Sequence, residues 1–304
     1  MDRKVISVKQ ADGRISKVTG YLSDAEPTAS LLIMHGMAEH HERYEDFAGF
    51  LNSNGIDVYL YDHRGHGMDL KLEDLGFIAE KDGDRLLIND AITIARTLQK
   101  EKRTEKFFLM GHSMGSFVCR NTIQTVDDIT GAIICGTNFP SGAVIGGGLF
   151  MSGLVKTFKG ARHVSPFLNK VMFENKDYLS CSTRTVMDWL TRDNAVVGKY
   201  ISDPYCGFIC TASFYHDLVS LIKRAGKGSN IMKTRKDLPI YFIAGDKDPV
   251  GGFGKQVAAL QRYYEKHGFT DTSIKLYKEC RHEILNELNK QEVYDDVLAF
   301  IKSK

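Results

Sequence analysis

A serine at the centre of Gly111-His112-Ser113-Met114-Gly115 has the surroundings that most favour covalent chemistry. The apolar run Phe107–Met110 precedes it, and a helical pattern over Met114–Thr125 follows. A strand, a tight turn and a helix in this order are typical of a nucleophile elbow, in which flanking glycines leave room around a strained serine. The alternative is a tight turn that carries an ordinary surface serine. We predict that Ser113 is a nucleophile.

A serine nucleophile needs a base, and ten histidines are candidates. His282 lies just beyond the last predicted strand, Ile274–Tyr277, where its side chain would reach the edge of a sheet. We predict that His282 is the base. We interpret His267 as a cation at a helix C-terminus. His163 and His216 fall in the insertion, and we interpret them as surface or lid residues.

The carboxylate that orients such a histidine should follow the strand Ile240–Ala244. Asp246 and Asp248 are both available there. We favour Asp248, because Asp246 is closer to the strand end and is placed to hydrogen-bond the turn, but Asp246 stays open as the alternative. The order Ser113, Asp248, His282, with each residue after a strand, supports the combined assignment.

The oxyanion of a tetrahedral intermediate needs two hydrogen-bond donors. One is expected to be the backbone N–H of Met114, directly after the nucleophile. The second should come from the loop that follows the strand Leu31–Met34, and we predict the backbone N–H of Met37, with Gly36 allowing the turn.

Two further groups of histidines suggest a metal-binding or catalytic role, and for each we weigh a purely structural role against it. The adjacent pair His40-His41 lacks an accompanying acidic or cysteine ligand pattern, so we expect no metal there. The stretch Asp62–Gly67 holds two histidines three residues apart, and we interpret it as a glycine-punctuated loop packed beneath the site.

The elements that must position these residues alternate between strand and helix. The predicted strands are Val5–Val8, Ile15–Leu22, Leu31–Met34, Val58–Tyr61, Phe107–Met110, Ala132–Cys135, Ile240–Ala244 and Ile274–Tyr277. The predicted helices of the alternating part are Tyr44–Ser53, Arg85–Gln99, Met114–Thr125, Lys255–Lys266 and Glu292–Ile301. This pattern predicts an α/β fold with a mostly parallel, doubly wound sheet, opened by a hairpin around Asp12-Gly13.

The alternation stops after Asn138, and helical patterns such as Ser182–Leu190 and Ala212–Arg224 then dominate. We therefore expect a core over residues 1–138, a helical cap over residues 139–229, and the rest of the core over residues 230–304. Insertions of this length are commonly lids.

Composition excludes several classes of protein. Of 304 residues, 43% are hydrophobic and 26% charged, which excludes general disorder. The formal net charge of +2 supplies no excess of basic residues to neutralise phosphates, so we expect no nucleic-acid partner. Six scattered cysteines and an N-terminus without an apolar segment favour a reduced, cytoplasmic protein. Residues 129–155 carry no charge, but the glycines there favour a buried strand and a glycine-rich connection over a membrane span.

Five ordered motifs resemble the bacterial lysophospholipase and monoacylglycerol lipase branch of the α/β hydrolases, which is also grouped with serine aminopeptidases. They are HGMAEHHERY (residues 35–44), YDHRGHG (61–67), GHSMGS (111–116), GDKDPVG (245–251) and RHEILNE (281–287). The resemblance implies an α/β-hydrolase fold with a nucleophile at Ser113, an acid at Asp248, a base at His282 and an oxyanion donor at Met37. One departure is Ala38, where monoacylglycerol lipases usually carry glycine.

Together the residues and the resemblance predict a serine hydrolase that cleaves small-molecule carboxylic esters of the lipid-like, monoacylglycerol or lysophospholipid type. We expect it to act through an acyl-enzyme on Ser113, without metal or cofactor. The alternatives are a peptidase or amidase, with Glu174 and Asp177 as amine anchors or as a solvated helix face, and a catalytically silent ligand receptor. Oligomeric state stays open, and no integral membrane association is expected. Apolar residues of the insertion form either an acyl-chain site or a contact between lid and core: Phe150, Leu154, Phe158, Phe167, Leu168, Met172, Phe173 and Trp189.

Overall fold

A computed structural model describes residues 2–304, and its centre is one mixed β-sheet. Within those residues the sheet has eight strands. They are β1 (Asp2–Lys9), β2 (Ile15–Leu22), β3 (Ala29–Met34), β4 (Ile56–Tyr61), β5 (Phe107–His112), β6 (Gly131–Cys135), β7 (Ile240–Gly245) and β8 (Thr272–Tyr277).

The strand order is β1-β2-β4-β3-β5-β6-β7-β8. The strands β1 and β2 form an antiparallel hairpin, in which Gly13 takes the left-handed conformation at φ 88°. The strand β2 pairs antiparallel with β4, and every pairing from β4 to β8 is parallel. The structure thus confirms the predicted mostly parallel, doubly wound sheet, and each predicted strand lies within an observed one.

Helices cover both faces of the sheet. The helices are α1 (Glu45–Ser53), α2 (Gly83–Glu101), α3 (Met114–Thr122), α4 (Gly142–Lys159), α5 (Pro166–Phe173), α6 (Lys176–Leu179), α7 (Asn194–Ser202), α8 (Ala212–Gly226), α9 (Gly228–Ile231), α10 (Lys255–Lys266) and α11 (Lys290–Ser303). Short 3₁₀ turns lie at His41–Tyr44, Leu72–Asp74 and Ile284–Asn286. Helices α1 and α11 pack on one face, and α2, α3, α8 and α10 share the core on the other. The central strands are buried on both sides, as parallel strands between helices must be.

The charge-free stretch after β6 differs from its prediction. The expected glycine-rich connection is largely the helix α4, which begins where the hydroxyl of Ser141 caps the N–H of Val144. Its glycines allow a close approach to α8: a Cβ on Gly148 would lie 3.3 Å from Val219. Packing against α8 therefore overrides the low helix propensity of glycine. No helix within residues 2–304 is both long and apolar enough to cross a bilayer.

The predicted helix over Ser182–Leu190 is wrong, because this segment is a series of turns. The carboxylate of Asp188 accepts the backbone N–H groups of Thr183, Arg184 and Thr185 at 3.0, 2.5 and 3.0 Å. A short acidic side chain that binds nearby backbone N–H groups competes with helix formation. The apolar spacing is present, but the local hydrogen bonds of one aspartate decide the conformation.

The insertion between β6 and β7 is attached to the core by a buried arginine on α3. Arg120 is 1% exposed. Its guanidinium donates to the carbonyl of Ala225 at 3.1 Å, near the C-terminus of α8, and to the carbonyl of Asn138 at 3.1 Å. It also lies 3.3 Å from the hydroxyl of Thr137. Carbonyls at a helix C-terminus carry partial negative charge, so they stabilise this buried cation.

We predict that Arg120→Met lowers the free energy of unfolding by about 2–4 kcal/mol, because it leaves buried carbonyls without a donor. Arg96→Met is the matched control, since the exposed Arg96 also donates to a carbonyl, that of Thr125 at 3.2 Å. We expect that control to change stability by less than about 0.5 kcal/mol. Urea denaturation of the wild type and the two variants measures these changes in the free energy of unfolding. Equal losses of stability in Arg120→Met and Arg96→Met would contradict the prediction.

Candidate active site

Ser113 lies in a strained turn between β5 and α3. Its backbone has φ 53° and ψ −119°, a conformation that non-glycine residues rarely adopt. The turn is held by a hydrogen bond from the N–H of Ser113 to the carbonyl of Cys135 at 3.0 Å. The flanking glycines are required by space: a Cβ on Gly115 would overlap the carbonyl of Met34, and one on Gly111 would overlap that of Gly115. Strain of this kind persists only where the surrounding structure enforces it.

The predicted base and acid meet over the carboxyl ends of the parallel strands. The Nδ1 of His282 lies 3.0 Å from Oδ2 of Asp248, and both side chains are buried. The other oxygen of Asp248 accepts the N–H of Val250 at 2.9 Å. Asp246 is occupied elsewhere, since its carboxylate accepts the N–H of Glu279 at 2.7 Å. The structure thus brings His282 together with Asp248 and not with Asp246.

The imidazole of His282 is enclosed by other rings. Its centroid lies 4.8 Å from that of His112 and 5.1 Å from that of Trp189. Gly136 leaves space for it, because a Cβ there would lie 3.1 Å from the Cε1 of His282. Ser113 and His282 line the same cavity. The arrangement can deliver a base to a nucleophile beside a substrate.

Met37 and Met114, whose backbone N–H groups are the predicted oxyanion donors, both line the cavity. Met114 is the first residue of α3, so its N–H has no acceptor within the helix. The N–H groups on either side of Met37 are occupied. Gly36 donates to Glu39 at 2.5 Å, and Ala38 donates to Nε2 of His66 at 3.1 Å.

The loop that carries Met37 is tied to the insertion. The carbonyl of Ala38 accepts the hydroxyl of Tyr200 at 2.9 Å and the N–H of Gly207 at 2.9 Å. Ala38 itself has φ 53°, a left-handed conformation that glycine adopts without strain. A glycine at this position, which the resemblance to monoacylglycerol lipases implies, would relieve that strain.

A buried charged network links the three loops of the site, and the sequence interpretation missed it. Arg43 donates to Glu39 at 2.6 Å and to both oxygens of Glu283 at 2.7 Å. The hydroxyl of Tyr44 donates to Glu39 at 2.8 Å and lies 3.0 Å from Nδ1 of His112. Burial would raise the pKa of Glu39, but the guanidinium of Arg43 outweighs it and holds that pKa well below its usual range. Glu39 therefore stays ionised and fixes the turn at Gly36.

These network residues had one signal in the sequence, which is that Glu39, Arg43 and Tyr44 all fall within the motif HGMAEHHERY. Only Met37 of that motif received a role. Glu283 directly follows His282, so the network connects the oxyanion loop to the loop of the base.

The cavity has a volume of about 580 Å³ and lies between the strand ends and the insertion. Sites of this size hold drug-sized ligands. Its apolar wall includes Phe117, Met151, Leu168, Met172, Phe173, Trp189, Leu218, Val219 and Ile222.

The apolar residues of the insertion divide into two groups. Leu168, Met172, Phe173 and Trp189 line the cavity, as one of the two alternatives predicted. The other four neither line the cavity nor are buried between lid and core. They are exposed to solvent: Phe150 by 70%, Leu154 by 43%, Phe158 by 80% and Phe167 by 56%. Phe150, Leu154 and Phe158 lie on the glycine-rich helix α4, which packs Gly148 against Val219 of α8. Phe167 lies on α5.

His40 is buried beside two other groups that could bind a metal. His40 has Asp203 and Cys206 beside it, which the sequence did not indicate, and the three donor atoms lie within 4.8 Å of one another. His40 Nε2 lies 2.9 Å from Asp203, while its Nδ1 has no partner within residues 2–304. Because a metal-bound imidazole normally donates its second N–H to a neighbour, these residues fit a hydrogen-bonded contact better than a metal centre.

The loop Asp62–Gly67 lies beneath the site, as its structural interpretation predicts. Asp62 accepts the backbone N–H of His41 at 2.8 Å, and His35 accepts that of His63 at 3.0 Å. Within residues 2–304, the Nε2 of His63 is buried without a partner. Burial lowers the pKa of His66 to about 3, so its Nε2 is a neutral acceptor for the N–H of Ala38.

We predict that His66 makes the fold sensitive to acid. Because its pKa falls from 6.5 to about 3 on folding, the unfolded chain binds more protons below pH 6.5, and stability falls as the pH decreases. Between pH 7 and pH 5 this single group lowers the free energy of unfolding by about 2 kcal/mol. His66→Gln keeps an acceptor for Ala38, and its free energy of unfolding should fall by about 2 kcal/mol less than that of the wild type over this range. His163→Gln, at an exposed site, should retain the wild-type pH dependence. Urea unfolding at the two pH values decides, and parallel curves for wild type and His66→Gln would contradict the prediction.

Comparison with known proteins agrees with this geometry. A family model described as serine aminopeptidase, S33, matches residues 25–289. A monoglyceride lipase homolog of Monkeypox virus is 32% identical over 90% of this chain and 90% of its own length. A monoacylglycerol lipase of Mycolicibacterium smegmatis is 26% identical over 92% and 90%. The structure of a thermostable carboxyl esterase from Bacillus coagulans, in complex with glycerol, has a TM-score of 0.90 at 25% identity and covers 100% of this chain and 99% of that one. The chain belongs to the serine aminopeptidase S33 family of α/β hydrolases.

Proposed function

We propose that this chain is a serine hydrolase that cleaves carboxylic esters of lipid-like substrates, of the monoacylglycerol or lysophospholipid type. The observation that carries the proposal is that Ser113 and His282, the latter paired with Asp248, line the same largely apolar cavity of about 580 Å³. The proposed reaction needs neither a metal nor a cofactor.

In the first half of the reaction, Oγ of Ser113 attacks the acyl carbonyl carbon, and Nε2 of His282 takes the hydroxyl proton. Asp248 accepts the Nδ1 proton at 3.0 Å, so it holds the tautomer that leaves Nε2 free as a base. The attack converts the carbonyl oxygen to an oxyanion. The backbone N–H groups of Met37 and Met114 stabilise that charge, and removal of one such donor typically costs a factor of about 10²–10³ in rate.

Collapse of the tetrahedral intermediate breaks the ester C–O bond. His282 returns its proton to the departing oxygen, so the alcohol leaves and an acyl-enzyme ester remains on Ser113. His282 then removes a proton from water, which attacks the acyl carbon. The second collapse releases the carboxylic acid and restores the serine hydroxyl.

The lining of the cavity supports a long acyl chain as the substrate's main recognition element. Its wall is built mainly of methionine, leucine, valine and phenylalanine side chains from both the core and the insertion. Burying each methylene of such a chain contributes about 0.8 kcal/mol. The names of the relatives support the same substrate class, since two of them are described as monoglyceride or monoacylglycerol lipases. We propose that residues 139–229 act as the cap over this cavity.

Amide substrates are the second candidate, because the family description names aminopeptidases and because Glu174 and Asp177 border the cavity. Both carboxylates are exposed, so water and salt screen the charge that would hold a substrate amine. An anchor for a free amine is stronger where it is desolvated. Esters are therefore the preferred class.

We predict that Ser113→Ala abolishes hydrolysis of p-nitrophenyl esters and that Asp248→Asn lowers kcat by about 10⁴, because the imidazole loses its tautomer. Asp246→Asn is the matched control, an aspartate two residues away whose loss should change kcat by less than about threefold. Steady-state kinetics of the purified chains measures all three. Full activity in Ser113→Ala would refute Ser113 as the nucleophile, and a larger loss in Asp246→Asn would reassign the acid. Absence of turnover in the wild-type chain would favour the catalytically silent ligand receptor.

We predict that kcat/KM rises with acyl length across p-nitrophenyl esters and is higher for monoacylglycerols and lysophospholipids than for aminoacyl p-nitroanilides. Each added methylene should raise kcat/KM by about fourfold until the cavity is filled, since 0.8 kcal/mol corresponds to about that factor. A substrate series at fixed pH tests this. Faster turnover of the anilides would overturn the ester assignment and favour the amidase.

A further inference from the structure

A turn within the insertion, residues 183–192, runs directly alongside the loop that carries His282. The N–H of His282 donates to the carbonyl of Trp189 at 3.3 Å, and the N–H of Glu283 donates to that of Leu190 at 2.7 Å. The guanidinium of Arg281 donates to the carbonyl of Asp188 at 2.5 Å and to that of Thr191 at 3.3 Å. Three successive residues of the base's loop are thus held by backbone carbonyls of the insertion.

One buried carboxylate shapes this turn. Asp188 is 1% exposed, and besides its three backbone donors it accepts the hydroxyls of Thr183 at 3.0 Å and Thr185 at 2.7 Å. Burial would raise the pKa of Asp188, but the hydrogen bonds from Thr185 and the turn's other donors outweigh it and hold that pKa below its usual range. The charge stays in place and folds residues 183–188 around itself.

The contacts between residues 183–192 and the loop of His282 continue beyond His282. The hydroxyl of Thr191 donates to the carbonyl of Asn286 at 3.0 Å. Arg192 and the N–H of Arg281 both donate to the buried carboxylate of Glu287, at 2.9 Å each. The ring of Trp189, 5.1 Å from that of His282, closes one side of the imidazole.

We infer that Asp188 is a positioning residue for His282: it folds the insertion turn whose carbonyls place the base over Ser113. The inference rests on the proposed function for the role of His282. Asp188 touches no reacting atom, so its contribution is to geometry. A displacement of about 1 Å at a catalytic group can cost about a hundredfold in rate. It follows that this end of the insertion is part of the catalytic apparatus rather than a detachable cover.

The test compares Asp188→Asn with Asp193→Asn. Asparagine keeps the size of Asp188 but removes the charge that accepts the turn's donors. Asp193 is a matched control in the same insertion, because its carboxylate accepts two backbone N–H groups at the start of α7, those of Ala195 at 2.8 Å and Val196 at 3.3 Å. It caps a helix and makes no side-chain contact to the base's loop within residues 2–304.

Two measurements separate positioning from stability. Steady-state kinetics well below the melting temperature should show kcat lowered about 10- to 100-fold in Asp188→Asn with KM within about threefold of wild type. Trp189 is the chain's single tryptophan, so intrinsic fluorescence reports on the turn alone. Its emission should shift to the red in Asp188→Asn and stay unchanged in Asp193→Asn, which should also keep the wild-type kcat.

A second variant keeps the inference testable if Asp188→Asn fails to fold. Arg281→Met removes the donor to the carbonyls of Asp188 and Thr191 and leaves the carboxylate intact, so it should give the same selective loss in kcat. Arg281→Lys should recover part of that loss. A kcat within about twofold of wild type in Asp188→Asn or Arg281→Met, or an equal loss in Asp193→Asn, overturns the inference. A wild-type chain that cleaves no ester overturns the proposed function instead, and unchanged Trp189 emission in Asp188→Asn then refutes the inference on its own.

Discussion

The strained backbone at Ser113 is the constraint on which the rest of the site depends. A serine at φ 53° stays in that conformation only because β5 ends, and α3 begins, against the backbone of β3 and β6. The close packing at Gly111 and Gly115 leaves no volume for a side chain at either position. The same packing sets the start of α3 at Met114, whose backbone N–H is the proposed oxyanion donor. The positions of the two glycines and the backbone conformation of Ser113 are thus linked through one tight turn.

The site is shared between the core and the insertion. The core supplies Ser113, Asp248 and His282 from three strand ends, at the place where α/β sheets bind ligands. The insertion contributes part of the lining of the cavity, and its Tyr200 and Gly207 hydrogen-bond the loop that carries Met37. Because insertion contacts reach both the oxyanion loop and the base's loop, substrate enclosure and the geometry of the proposed chemistry are physically connected.

Much of the fold follows from local pattern. Runs of apolar residues predicted each of the eight strands, because central parallel strands are buried on both faces. The candidate site residues were predicted from their order after those strands. The insertion was harder to predict: the spacing over Ser182–Leu190 fits a helix, yet Asp188 makes it a turn through hydrogen bonds that no periodicity reveals. The glycines of α4 suggested a loop, and only contact with α8 makes them part of a helix. The network of Glu39, Arg43 and Glu283 joins residues up to 244 positions apart, so it is visible only after folding.

The central claim is that Ser113 carries the acyl group during turnover. Reaction of the chain with an alkyl fluorophosphonate, followed by peptide mass spectrometry, tests it most directly, because such reagents trap an activated serine as a stable ester. The account predicts a single adduct on Ser113 that is lost in Ser113→Ala and strongly slowed in His282→Ala. An adduct on a different serine, or ester hydrolysis that continues after Ser113 is fully labelled, would contradict it.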